Sequence, residues 1–139
     1  MSLYVLDTNM LSLYQDGHAK VCARVHAVPA SELAIAVLTV EEQLSAWYTQ
    51  LRQAKSQQRL AWAYRRLADN VRFLSRLRIL DYDEPAMRRY DSLRRQKLKV
   101  SRTDLQIAAV ALELQATVVT ANLRDFKRVP GLQIEDWSK

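Results

Sequence analysis

Leu3-Tyr4-Val5-Leu6-Asp7-Thr8-Asn9 runs four apolar residues straight into an acid, a hydroxyl and an amide. A run without alternation suits a strand buried on both faces, as in a parallel sheet, rather than an amphipathic edge strand. The polar trio then falls at the strand's carboxyl end, where open α/β sheets place their ligands. An acid there loses its hydration unless something binds it. Asp7 therefore reads as the first member of a carboxylate cluster around a divalent metal.

Outward from this stretch, apolar runs recur at Glu32–Leu38 and Ala116–Thr120, with a short candidate strand at Arg78–Tyr82 and an alternating edge strand at Leu132–Glu135. Helical spacing fills the intervals. A short helix covers Met10–Tyr14 and a second Ala19–Ala27, stopped by Pro29. Thr39 and Glu42 have the spacing of a capping box at the head of a long helix reaching about Leu51, with Thr39 as N-cap. Leu60, Tyr64, Leu67, Val71 and Leu74 predict the buried stripe of an antiparallel partner helix. Asp83 caps the next helix, with Pro85 in its first turn and Met87, Tyr90 and Leu93 turned inward. Ser101 and Asp104 repeat the capping-box spacing ahead of Leu105–Leu114, which is apolar all round and so predicted to be buried. Strands alternating with helices imply an α/β sandwich on a short, mainly parallel sheet.

At 139 residues the chain reads as one domain spanning 1–139, large enough to bury a core without disulfides. Cys22 is the lone cysteine and reads as an inert residue on the buried side of an early helix, compatible with a reducing cytosol. No basic start precedes the first apolar run, and no segment approaches the roughly 20 apolar residues needed to cross a bilayer. The expected place is the cytoplasm, with no membrane partner. Twenty-one Lys and Arg against fifteen Asp and Glu leave a net charge of +6. Arginine clusters at 59, 65, 66, 72, 76 and 78, and again with lysine between 88 and 102. Such a surface suits a polyanion such as nucleic acid, although charge runs also serve simply as solvated helix faces.

Four acids share one context. Asp7 follows a strand, Glu42 and Asp104 fall in first helical turns, and Asp125 follows the strand ending at Thr120. In a parallel sheet these places gather along one edge. Glu42 and Asp104 have a second reading as cap residues favoured by the helix dipole, and Asp125 as a first-turn surface acid. Asp7 has no capping alternative in this reading. Clustered carboxylates repel unless a cation sits among them, and oxygen-only donors suit Mg²⁺ or Mn²⁺. Such an ion fits hydrolysis of a phosphodiester.

The ordered set Leu6-Asp7-Thr8-Asn9, Leu38-Thr39-Val40-Glu41-Glu42, Thr103-Asp104-Leu105-Gln106-Ile107-Ala108-Ala109 and Val118–Phe126, closed by Val129-Pro130-Gly131-Leu132 and Asp136-Trp137, resembles a PIN-domain ribonuclease. The resemblance is specifically to the VapC-like toxins of bacterial type II toxin–antitoxin modules, and it covers essentially the whole chain. It implies a PIN-like three-layer sandwich in which Asp7, Glu42 and Asp104 form an acidic core around Mg²⁺ or Mn²⁺. Thr8, Asn9, Thr120 and Asn122 would support that core, Thr8 and Thr120 by hydrogen bonds. Asp125, immediately before Phe126, is favoured over Asn122 as the fourth polar position. Glu41 is an alternative to Glu42, but the offset from Thr39 selects Glu42. Lys97 departs from the glycine that many relatives carry in the loop before the third acid.

The resemblance further implies an RNA substrate such as tRNA or rRNA, a cognate antitoxin protein and a homodimer. Trp47, Tyr48, Trp62 and Tyr64 are candidates for an antitoxin groove, for a dimer contact, or for packing between the paired helices. Two rivals remain. One is a catalytically silent PIN-fold protein acting as an RNA-binding or scaffold module. The other is phosphoryl transfer of the haloacid-dehalogenase or receiver type, which also places an Asp after a buried strand but wants further acids that this chain lacks.

Overall fold

The computed structural model describes residues 2–139. Its sheet is five-stranded and wholly parallel, in the order β3-β2-β1-β4-β5, with β1 Tyr4–Leu6, β2 Leu33–Ala36, β3 Arg78–Leu80, β4 Thr117–Val119 and β5 Gln133–Glu135. The helices between are α1 Thr8–Gln15, α2 Ala19–Ala27, α3 Val37–Gln53, α4 Gln57–Leu74, α5 Glu84–Arg95, α6 Arg102–Leu114 and α7 Leu123–Phe126.

Period-two alternation along the short strands divides the core into two layers. Val5, Ala34, Ala36 and Val118 face the side covered by α5 and α6, where Leu93, Leu105, Ile107 and Ala108 to Ala111 are buried. Leu6, Leu33, Ile35 and Val119 face the other side, with Met10 and Leu11 of α1, Val21 and Val25 of α2, Leu74 and Trp137. The apolar α6 is thus buried, as its composition requires. Leu6 is in register with Ile35 on one flank and Val119 on the other. The carboxyl ends of the three central strands are therefore level. The chain winds outward from β1 through β2 to β3 and then returns to β4, so the order reverses between β1 and β4, where such folds open a crevice.

Several local expectations are corrected. The apolar run at 33–38 is only a four-residue strand; it ends at Ala36, and α3 begins at Val37 with no side-chain cap. Thr39 lies inside the helix, fully buried, and makes no capping box with Glu42. The paired α3 and α4 pack as expected, but α4 is rotated about its axis. Ala63 and Leu74 are buried, whereas Leu60, Tyr64 and Val71 are exposed, Tyr64 at 57%. Met87 is likewise exposed, and Ala86 takes the inward place beside Leu93. In both helices an alanine takes the buried place. Tyr48 and Trp62 are exposed, and the half-buried Trp47 packs edge-on against Trp62 at 5.5 Å. Cys22 is only half-buried; its Sγ stands 3.7 Å from the Tyr14 carbonyl.

The rotation of α4 makes a prediction. Ala63→Leu should force α3 and α4 apart at a cost of about 1–3 kcal/mol, whereas Tyr64→Ser should stay within about 0.5 kcal/mol of the parent. Urea unfolding of the two variants checks this, and the opposite ranking would restore the stripe read from the sequence.

Between α5 and α6 the backbone adopts left-handed geometry twice, at Lys97 (φ 53°) and Lys99 (φ 59°). For a residue with a Cβ this costs roughly 1–2 kcal/mol. The loop thus keeps a glycine-like shape without glycine. Among the described residues, no helix is long and apolar enough to cross a membrane.

Candidate active site

Asp7 sits where β1 meets α1. Its N–H donates to the Val119 carbonyl at 3.0 Å, fastening the end of β1 to β4. Its Oδ1 accepts from the Met10 N–H at 2.8 Å, so Asp7 is the N-cap of α1. The expectation that Asp7 has no capping role is corrected: α1 starts at Thr8, earlier than the apolar spacing suggested. Capping alone does not neutralise this residue. Only 3% of it is exposed. Burial pushes its carboxyl up to about 6, against the hydrogen bonds from Thr120 and Met10, and the charges of Asp104 and Glu42 push the same way. Thr120 is fully buried, and its Oγ1 accepts the Asn122 N–H at 2.8 Å, which aims the hydroxyl.

Glu42 lies in the second turn of α3, exposed to solvent. The Thr8 hydroxyl donates to its Oε1 at 2.5 Å and stands 3.1 Å from the Thr39 hydroxyl. Glu42, rather than its neighbour Glu41, is therefore the acid tied to the β1–α1 junction. The role of Thr39 was hidden in the sequence by its resemblance to an N-cap; its burial is what places it under Thr8.

Asp104 is the third residue of α6, and its N–H donates to the Ser101 hydroxyl at 3.2 Å. Its own carboxyl is half-buried and raised by burial, opposed by the Ser101 hydroxyl, with Glu42 and Asp125 adding repulsion. Asp125, in α7, has the opposite balance. The Asn122 amide donates to its Oδ2 at 2.9 Å, and Arg128 and Arg124 reach its Oδ1 at 3.0 and 3.3 Å. The Asn122 bond, then the two arginines, hold its carboxyl below the ordinary range. Arg128 was not singled out from sequence; its signal was the i,i+3 offset from Asp125. Asn9 is exposed, and among the described residues no hydrogen bond holds its side chain.

Four carboxylates thus form a chain of mutual repulsion: Asp7 with Glu42 and Asp104, and Asp104 with Glu42 and Asp125. Among the described residues no Lys or Arg pairs with Asp7, Glu42 or Asp104. A hard divalent cation answers that uncompensated oxygen-donor set. The acids are not already drawn into a tight ligand shell, since among the described residues no three of them stand as a preset metal centre. The donor chemistry fits such an ion, and Asp125 differs from the others in already having cationic partners.

Comparison with known proteins gives consistent findings. The family model described as PIN domain matches residues 4–132. The chain is similar to Ribonuclease VapC2 of Rickettsia felis, with 41% identity over 71 residues, covering 48% of this chain and 53% of the relative. It is similar to the tRNA(fMet)-specific endonuclease VapC of Salmonella typhimurium, with 43% identity over 77 residues, covering 52% and 58%. The matches therefore span about half the length of these curated relatives. Among solved structures, a DNA-bound VapBC from Salmonella typhimurium matches with a TM-score of 0.80 and 32% identity over 99% of both chains.

Proposed function

Because this chain belongs to the PIN-domain family, we propose that it is a metal-dependent endoribonuclease toxin of the VapC type, held inactive by a cognate antitoxin. The observation that carries this reading is the set of mutually repelling carboxylates at the β1–β4 crevice, with Asp7 buried and raised to about 6 and, among the described residues, no basic partner for three of the four. Similarity to a tRNA(fMet)-specific endonuclease and to VapBC complexes supports the RNA substrate and the protein partner.

In this reading Asp7, Glu42 and Asp104 hold Mg²⁺ or Mn²⁺, and Asp125 stands at the fourth position. An ion held there would make a bound water more acidic and would stabilise charge on the phosphate. Thr120 aims the Asp7 carboxylate, Thr8 aims Glu42, and Asn122 aims Asp125. These bonds orient the acids, and an arriving ion would draw them together. The RNA is of a structured class such as tRNA or rRNA, the setting is the cytoplasm, and the toxin acts as a homodimer of single-domain chains.

Incubating purified protein with tRNA in Mg²⁺ or Mn²⁺ and in EDTA tests the proposal. Discrete cleavage products should appear with either ion, vanish in EDTA and return on adding Mn²⁺. Folded protein that cuts neither tRNA nor rRNA with either metal would sink the nuclease reading. The second reading, a silent RNA-binding module, is favoured by the engagement of Asp125 with Arg124 and Arg128. It predicts no thermal stabilisation by Mn²⁺.

A further inference from the structure

The loop joining α5 to α6 combines strain with charge. Lys97 and Lys99 both hold left-handed backbone, at φ 53° and 59°, in places where glycine would sit without penalty. Leu98 and Val100 pack against the core and pin the loop, while both lysines are exposed. Arg128 then fastens the loop to the acidic site. The same guanidinium nitrogen donates to the Lys99 carbonyl at 2.9 Å and to Asp125 Oδ1 at 3.0 Å. Asp125 in turn repels Asp104. The backbone at Lys99 is thus tied to Asp125, with Lys97 two residues before it, and neither lysine is neutralised by an ion pair among the described residues. Arg102 and Arg124, also exposed, continue the charge on either side, and Arg124 pairs with Asp125 while remaining 82% exposed.

A site made of four acids repels the polyanion it is meant to cut, so adjacent fixed cations are needed to bring a strand in. Residues kept in strained backbone beside a functional site point to a role for their side chains. We propose that Lys97 and Lys99 grip the sugar–phosphate backbone of an RNA strand entering the carboxylate site from the α5–α6 side, and that Arg128 positions their loop against Asp125. This rests on the ribonuclease reading and deepens it by naming where the strand lies. Lysine suits the task because it meets phosphate as a compact point charge, without demanding the planar geometry of a guanidinium.

Three paired variants test the proposal: K97G/K99G, K97Q/K99Q and K97R/K99R. Binding of a labelled single-stranded RNA oligonucleotide is followed in EDTA across a salt series, and cleavage of tRNA is followed in Mn²⁺. The glycine pair should melt at a higher temperature than the parent yet bind RNA more weakly and show a raised KM. Its log–log salt slope should be shallower by about 1.4, so the affinity gap to the parent closes about sevenfold between 50 and 200 mM salt. The glutamine pair should lose binding equally with no rise in melting temperature, which separates charge from backbone relief. The arginine pair should retain binding. If the glycine and glutamine pairs keep the parental slope and KM while the parent cleaves RNA, the loop proposal falls and the nuclease reading stands. If the parent binds RNA with a lysine-dependent slope but never cleaves it, the nuclease reading falls and the loop remains an RNA contact.

Discussion

Asp7→Asn is expected to make the metal-free protein more stable while sharply lowering the RNA cleavage proposed above. The folded protein holds the Asp7 proton up to about 6, against an ordinary value of 3.8. The protonated acid's advantage is fully present below pH 3.8 and is lost as pH rises through about 6. At pH 7.5 the buried carboxylate therefore costs about 3 kcal/mol, by the conversion of roughly 1.4 kcal/mol per pH unit. Asparagine is neutral, nearly isosteric and as good an N-cap as aspartate, so the bond from Met10 survives. Unfolding in EDTA should show wild type losing stability between pH 4 and 6.5 relative to Asp7→Asn, with a gap of about 2–3 kcal/mol above that window. Mn²⁺ should stabilise wild type and leave the variant unmoved. Cleavage should fall by about 10²–10³-fold, the scale of losing one fixed electrostatic group from a catalytic site. A variant less stable than wild type at neutral pH would show that the carboxylate is already compensated within the fold.

Trp137→Ala should cost about 3–5 kcal/mol. Trp137 heads the fully buried side chains by volume. Its ring lies 5.2 Å from Tyr4, the Arg24 guanidinium stands over it at 5.0 Å, and its indole N–H donates to Glu135 Oε1 at 2.9 Å. Arg24 bonds the same oxygen at 3.0 Å. Deleting the ring hollows the layer that contains Leu6 and Val119, the residues flanking Asp7 and Thr120. Against a typical total of 5–15 kcal/mol this is a large fraction. Trp137→Phe should cost less, because the volume is largely kept and Arg24 still pairs with Glu135. Urea midpoints rank the two. Cleavage per folded molecule should survive at low temperature in both, since neither touches the acids.

How far the sequence carried depended on whether a residue's fate was local. Asp7 after an unbroken apolar run, the level ends of parallel strands, the Ser101 cap and the buried α6 all follow from patterns within a few residues. The boundary at Ala36–Val37 was hidden because Leu33–Leu38 is uniformly apolar and carries no breaker, and that concealed Thr39's buried place. The stripe held at Leu74 and in part at Leu67 but failed at Leu60, Tyr64 and Val71, because Ala63 takes the fully buried place, a choice made by the neighbouring helix and not by hydrophobicity. Nothing in the local pattern around Lys97 predicts left-handed backbone; only the structure shows it there, at φ 53°. Arg128's bond to Asp125 is a local pair three residues apart, but its bond to the Lys99 carbonyl reaches 29 residues, and no local pattern reveals that tie.

The bond from the Asp7 N–H to the Val119 carbonyl spans most of the chain. Its two ends are made far apart in time on the ribosome, at about 5–20 residues per second. Until the chain has been made through Thr120, β1 lacks one of its two neighbours and Asp7 lacks the hydroxyl that bonds it. Sheet completion waits on long-range parallel pairing, the slow kind of contact to form. The acids are consequently brought to one edge only once the chain has been made through Thr120 and β4 has paired with β1.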